Sequence, residues 1–438
     1  MKKKQLGFWT LLAIVIGNMI GSGAFLLPAS LAEYGSIGLL AWFITTIGAI
    51  CLAMLFMRLA RYLPKVGGPY AYCKAAFGDV IGFQVAFNYW IALWVGNAAI
   101  SIAFVSYLTY FFPSLAQHAK FSFFAAIAII WILTLLNLKG VRDTSIFQFV
   151  TNIIKLIPLL ALSFIGLFFI HPHYLNAFNI SFHSNFSALT ASAALTFWSF
   201  IGLESATVPA ENVGNPRRVI PLATIWGIII ASVIYILGTV SVMGVIPMQQ
   251  LAHTGAPYAS AGKIIFGKWA GDVFALAAVI ATIGSLAGWI LLQGQIPYAA
   301  AKDRLFPNLF TRLNRFNSPY WGLIISSILA SFLLLLNFHK SLVNQFSIII
   351  LLATFASIIP YLYSSMGEII LIYKGKIAST HFKSALTLSM IAFIILFWVI
   401  VGTGKIVAYY WIYLMILSIP IYVWMKWQSR QYINTKNN

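Results

Sequence analysis

Charge is scarce in this chain. Asp, Glu, Lys and Arg make up 8% of its 438 residues, against about a quarter in soluble domains. Acidic side chains are scarcest, eight beside 27 basic ones. So sparse a set cannot cover a water-facing surface, which argues against a soluble globule. Cysteine is also nearly missing. The two present, Cys51 and Cys73, fall in an apolar run and in a short basic loop, so no disulfide is expected. Neither stands at metal-ligand spacing from a histidine, and no metal or cofactor is implied. All seven histidines lie outside the apolar runs. That argues against an intramembrane serine protease, and paired Asp-rich motifs for prenyl transfer are missing too. The chain is not read as an enzyme.

What the chain has is length of apolar sequence. The apolar segments are continuous rather than alternating, which argues against a membrane β-barrel. Each is long enough for a helix to cross a hydrocarbon layer of about 30 Å. Spans are read near 7–32, 38–61, 81–108, 121–140, 146–170, 186–209, 219–246, 265–299, 319–337, 343–372, 384–403 and 406–428. This predicts an all-α integral membrane protein of about 12 helices, one transport domain over residues 1–438. The net charge of +19 does not point to nucleic acid, because most basic residues collect in alternate loops: the MKKK start, 58–74, 139–142, 217–218, 302–315, 374–383 and the tail. By the positive-inside rule both termini are cytoplasmic. MKKK ahead of an apolar run resembles a signal peptide, but the run is long and further spans come at once, so cleavage is not expected.

Two of the spans are interrupted. The first contains GNMIGSGAFLLPA (residues 17–29) in a run from Gln5 to Ala32 that holds no charge. The sixth contains FWSFIGLESATVPAENVGNPRRVIP (197–221). A helix break survives in a membrane only where protein or a water-filled cavity covers the freed backbone groups. There the free N–H groups at a half-helix start suit a carboxylate, and freed carbonyls suit an ammonium. An α-amino acid carries both groups on one carbon. Gly21, Ser22 and Gly23 offer N–H groups and a hydroxyl without obstruction. Close helix packing through small residues is the plainer reading of GSG; the second break in register favours binding. Breaks at matching places in two halves point to inverted repeats, here about 7–170 and 186–372, with two further helices at about 384–428. A channel fits less well than a carrier, because matched breaks are not what a channel builds its filter from.

GNMIGSGAFLLPA, GGPYAYCKAAFG, YWIALWVGN, FWSFIGLES, ENVGNPRRVIPLAT, GSLAGWILLQGQ and IIPYLYS succeed one another along nearly the whole chain. In these motifs the sequence resembles the amino acid–polyamine–organocation superfamily. Within it the resemblance is to the basic amino acid/polyamine antiporters, most of all the bacterial arginine/agmatine type. The resemblance implies the leucine-transporter fold, alternating access, a bacterial cytoplasmic (inner) membrane and a homodimer. It implies a substrate carboxylate at Ser22 and the Gly23 amide, and an α-ammonium at the carbonyls of Met19, Trp198 and Ile201, with Asn18 near by. Trp289 then packs on the aliphatic part of the substrate, Asn97 lies near its far end, and Tyr89 and Tyr361 gate on either side. Trp198 stacks over the substrate cation and closes the outer gate. Two positions depart from the pattern: Leu93 replaces a cysteine and Ala353 a serine, so the far end of the pocket is less polar. Ornithine, lysine or a neutral amino acid stand beside arginine as substrates.

Most charges sit in loops or near span ends; Glu204 and Lys155 lie well inside spans. Glu204 comes just after the second break, where an ionisable group is costly and functional by default; the resemblance assigns it to cation exchange and proton sensitivity. Glu368 is expected at the cytoplasmic interface. Lys155, in TNIIKLIPLL, either snorkels to the surface or serves as a buried fixed charge or proton carrier. In several proton-coupled relatives of the wider superfamily a lysine stands where sodium-coupled ones bind sodium. The function expected is secondary active exchange of a basic amino acid for a related amine, with proton-coupled symport of neutral or broad-range amino acids as the alternative.

Overall fold

The computed structural model describes residues 7–63, 68–204, 213, 215–375, 377 and 382–437. The MKKK start, Lys65, Glu211, His381 and most of the stretch 205–214 lie outside the described residues. In chain order the helices are α1 (Phe8–Met19), α2 (Ser22–Ala32), α3 (Ile37–Tyr62), α4 (Pro69–Phe77), α5 (Asp79–Leu108), α6 (Ser114–Gln117), α7 (Ala119–Leu138), α8 (Val141–Ile165), α9 (Pro172–Leu175), α10 (Asn185–Phe197), α11 (Pro216–Val245), α12 (Met248–Ala252), α13 (Pro257–Phe266), α14 (Lys268–Lys302), α15 (Tyr320–Asn337), α16 (Leu342–Tyr373), α17 (Phe382–Gly402) and α18 (Lys405–Asn437). No strand forms among them, and the protein is all-α.

Among the described residues, ten segments are long and apolar enough to cross a membrane, α1 with α2 counting as one. The expected fifth and sixth spans are not among these ten. In the fifth, α8 runs into a 3₁₀ turn over Gly166–Phe169, and its apolar stretch among the described residues is Ile154–Phe169. The helix α10 has 13 residues and rises only about 20 Å, so it runs part way through the hydrocarbon before it stops.

The breaks have local causes. Helix α1 ends at Met19; Ile20 is extended (φ −77°, ψ 100°) and Gly21 leaves helical space altogether (φ −147°, ψ −135°) before α2 starts at Ser22. Helix α10 tightens into a 3₁₀ turn over Trp198–Phe200. Ile201 is again extended, and Gly202 takes φ +103°, which favours glycine because a Cβ would be strained there. Both interruptions lie against the middle of the molecule. Helix α5 forms its axis, buried on every side from Val85 to Tyr107, as a helix apolar all round must be; α14 and α16 pack along it. At the periphery α17 and α18 expose Phe397, Val401, Tyr409 and Leu417, a face suited to lipid.

Candidate functional site

The α1 break frees carbonyls, and three of them already have donors. The Nζ of Lys155, from α8, donates to Gly17 O at 2.7 Å and to Ile20 O. The indole of Trp289 donates to Asn18 O at 3.4 Å, and Ser285 Oγ to Ile20 O at 3.4 Å. Lys155 is fully buried, so the snorkelling reading is corrected: the ammonium stays inside because the broken helix end gives it acceptors that a lipid face lacks. On the far side of the break, Ser22 and Gly23 open α2 with N–H groups that no preceding turn can use.

The sixth-span break brings its own set. Trp198 Nε1 donates to Ser22 Oγ at 3.3 Å, so the two breaks touch. Ile201 N closes the 3₁₀ turn on Trp198 O at 3.2 Å. The rings of Trp198 and Trp289 lie 5.3 Å apart at 45°, and both press on Gly96 of α5: a Cβ there would stand 2.9 Å from Trp198 and 2.8 Å from Trp289. Small residues matter here for closeness. A Cβ on Gly23 would overlap the Ser199 hydroxyl and lie 3.2 Å from Trp198 Cδ1.

What remains between these groups is a cavity of about 10 Å³ lined by Asn18, Met19, Gly21, Ser22, Gly23, Ile100, Trp198, Ile201, Ser285 and Trp289. That is room for about one water, not for an amino acid. The site is closed, with the two indoles filling it. Eight residues singled out from sequence therefore meet on one cavity. Ser285 and Ile100 were not foreseen; Ser285 could have been, since it stands four residues before Trp289 and shares its helix face.

Glu204 is buried one turn beyond. Its carboxylate accepts from Tyr89 Oη at 2.5 Å, from Tyr361 Oη at 2.7 Å and from the Gly202 amide at 3.2 Å. Convergent donors are what a buried carboxylate needs. The two tyrosines expected to gate the site thus share one carboxylate. Asn97 does not line the closed cavity; it lies behind the rings, donating to Gln293 Oε1 at 2.6 Å.

Glu368 is a correction. It was expected at the interface and is fully buried, because Arg58 of α3 meets it through two bonds, at 2.5 and 2.9 Å, and Ser389 of α17 adds a third at 2.7 Å. Two neighbouring helices bring it the partners that make burial tolerable.

The profile of the amino acid permease family matches residues 6–425. The chain is 32% identical over 394 residues to the putrescine transporter PotE of Escherichia coli, covering 90% of this chain and 89% of that one. It is 34% identical over 372 residues to the cadaverine/lysine antiporter of Escherichia coli, covering 84% and 83%. Against the putrescine transporter PotE of Haemophilus influenzae it is 30% identical over 405 residues, covering 92% and 93%.

Proposed function

Because this chain belongs to the amino acid permease family, a multi-pass membrane transporter, we propose that it exchanges a basic amino acid for a related diamine by alternating access across a bacterial inner membrane, with both termini cytoplasmic. The observation that carries this reading is the meeting of two helix interruptions on one closed cavity between Trp198 and Trp289. In this reading residues 7–170 and 186–372 are the two inverted repeats of a leucine-transporter fold, and the helices over 384–428 are additions to it.

The amino acid's carboxylate takes the Ser22 hydroxyl and the Gly23 amide at the start of α2, and its α-ammonium the carbonyls of Met19, Trp198 and Ile201. The side chain lies between the indoles, whose faces favour a cation. A diamine lacks the carboxylate and holds by its two ammonium ends. At neutral pH lysine carries one net positive charge and a diamine two, so one-for-one exchange moves charge. The names of two relatives, a putrescine transporter and a cadaverine/lysine antiporter, fit such a pair. Glu204 supplies the buried negative charge that a cationic substrate and a proton compete for.

One observation favours a second reading. Lys155 bonds two carbonyls of the broken α1 and so ties α8 to it; a lysine that lost its proton there would release α1. Under proton-coupled symport that release is the coupling step. Proteoliposomes decide between the two. Exchange predicts uptake of labelled lysine only into vesicles preloaded with amino acid or diamine. Accumulation into empty vesicles under an imposed pH gradient, lost in Lys155→Ala, overturns exchange and establishes symport.

A further inference from the structure

A buried chain of amides runs behind the cavity. Asn97 on α5 and Gln293 on α14 are both fully buried, and Asn97 Nδ2 donates to Gln293 Oε1 at 2.6 Å. The other end of Gln293 reaches α15: its Nε2 donates to Ser327 Oγ at 3.0 Å and to the Leu323 carbonyl at 3.4 Å. Ser327 is engaged on its other side by Thr134 of α7 at 2.7 Å. A backbone carbonyl can only accept. It therefore takes the nitrogen end of Gln293 and turns the oxygen end toward α5, where that oxygen in turn takes the nitrogen end of Asn97. The chain of bonds ends at the Asn97 oxygen. That atom has no partner among the described residues, and a buried acceptor without a donor calls for an explanation.

Its position offers one. Ile100 and Trp289 line the cavity. Asn97 lies one turn before Ile100 on α5, and Gln293 one turn after Trp289 on α14, so both amides continue the cavity-lining faces. Gly96, the residue before Asn97, is the floor on which the two indoles close. In the exchange reading, the rings part to admit substrate, and the face that carries Asn97 is the next beyond them on α5. We infer that Gln293 is a positioning residue: it holds Asn97 oxygen-first, as the acceptor for the far ammonium of a diamine or diamino acid. An ammonium only donates, so an amide free to present its nitrogen would oppose the substrate. Leu93 and Ala353, both buried, add no polar side chain to this end, which raises the weight on one oxygen. A site built around a substrate's polar group rejects the analogue lacking it, because the protein's own group is left unpaired.

This inference rests on the substrate site proposed between the two indoles, and its test separates the two. Binding of cadaverine and of n-pentylamine, which has the same carbon chain and one ammonium, is measured by calorimetry on purified wild type, Gln293→Leu, Asn97→Leu and Trp289→Leu. Wild type prefers the diamine. Gln293→Leu narrows that preference by about tenfold or more, the scale of one hydrogen bond to a charged group, through loss of diamine affinity with the monoamine unchanged. Asn97→Leu removes the oxygen while leaving the Gln293–α15 bonds, and narrows the preference equally. A purely structural role for Gln293 weakens both amines alike; that result, an unchanged preference in either variant, or no preference in the wild type overturns the inference. If Trp289→Leu leaves both amines bound as before, the substrate lies elsewhere and both readings fall. If it weakens both while the preference survives Gln293→Leu, the site stands and only the positioning role falls.

Discussion

Glu204 illustrates how much one side chain depends on its neighbours. A carboxylate inside a membrane is costly, yet here two phenols and an amide donate to it. Glu204→Gln keeps the shape and removes the charge. The expected outcome is slower exchange of cationic substrates and a flattened pH profile, read as initial rates in preloaded proteoliposomes between about pH 5 and 8. A variant that keeps the wild-type profile would place the proton-sensitive group elsewhere. The indoles are tested separately. A cation–π contact contributes on the order of 0.5–2 kcal/mol, so Trp198→Leu or Trp289→Leu lowers affinity for a diamine by about tenfold in calorimetry. Wild-type affinity in both variants would remove them from the site.

At the scale of elements the ion pairs are unequal. Arg58 and Glu368 join α3 to α16 with Glu368 fully buried, whereas Lys74 and Asp303, at 3.0 Å, join α4 to the end of α14 with 27% and 47% of their side chains exposed. Breaking a buried pair from one side costs about 3–5 kcal/mol, because a charge is left stranded; an exposed pair contributes about 0–1 kcal/mol. Glu368→Gln therefore lowers the thermal midpoint in detergent strongly, and Lys74→Gln barely. Equal shifts would mean that Arg58 finds water when its partner is lost. The α4 helix keeps other ties after Lys74 is removed: Tyr70 donates to Asp303 at 2.6 Å and Lys374 to Ala76 O at 2.9 Å. Burial first, then its bond to Asp303, pushes the Tyr70 phenol well above its usual range, so this donor persists at any working pH.

For the whole molecule the charge carried per cycle is the quantity to measure. Exchange of external lysine for internal cadaverine moves one positive charge outward per turnover. A membrane potential acts on that charge with about 2.3 kcal/mol per 100 mV. In proteoliposomes clamped by a potassium gradient, an inside-positive potential speeds lysine entry against cadaverine and an inside-negative one slows it. Lysine-for-lysine exchange moves no net charge and is the control. Rates indifferent to the potential in both cases would require a compensating proton and would favour the second reading of Lys155.

Composition and order alone determined that this chain lives in a membrane as helices, because 61% apolar residues in long unbroken runs leave no other way to satisfy the backbone. They also located both interruptions, since glycine and serine clustered in an apolar run loosen a helix. Of the eight cavity residues, Gly21, Ser22 and Gly23 were legible for the same reason, while Asn18, Met19, Trp198, Ile201 and Trp289 came from the resemblance of the motifs that hold them to those of a known family. What the sequence left open was every choice that depends on a partner far along the chain. Lys155 could have reached for the surface; the carbonyls of Gly17 and Ile20, far away in sequence, hold it inside. Glu368 read as an interfacial acid until Arg58 and Ser389 closed on it. Gln293 carried no signal at all, because an amide's direction is set by whichever groups it meets. Apolar pattern is a local property and survives in one dimension, whereas the pairing of a buried polar group is settled only by which helices pack side by side.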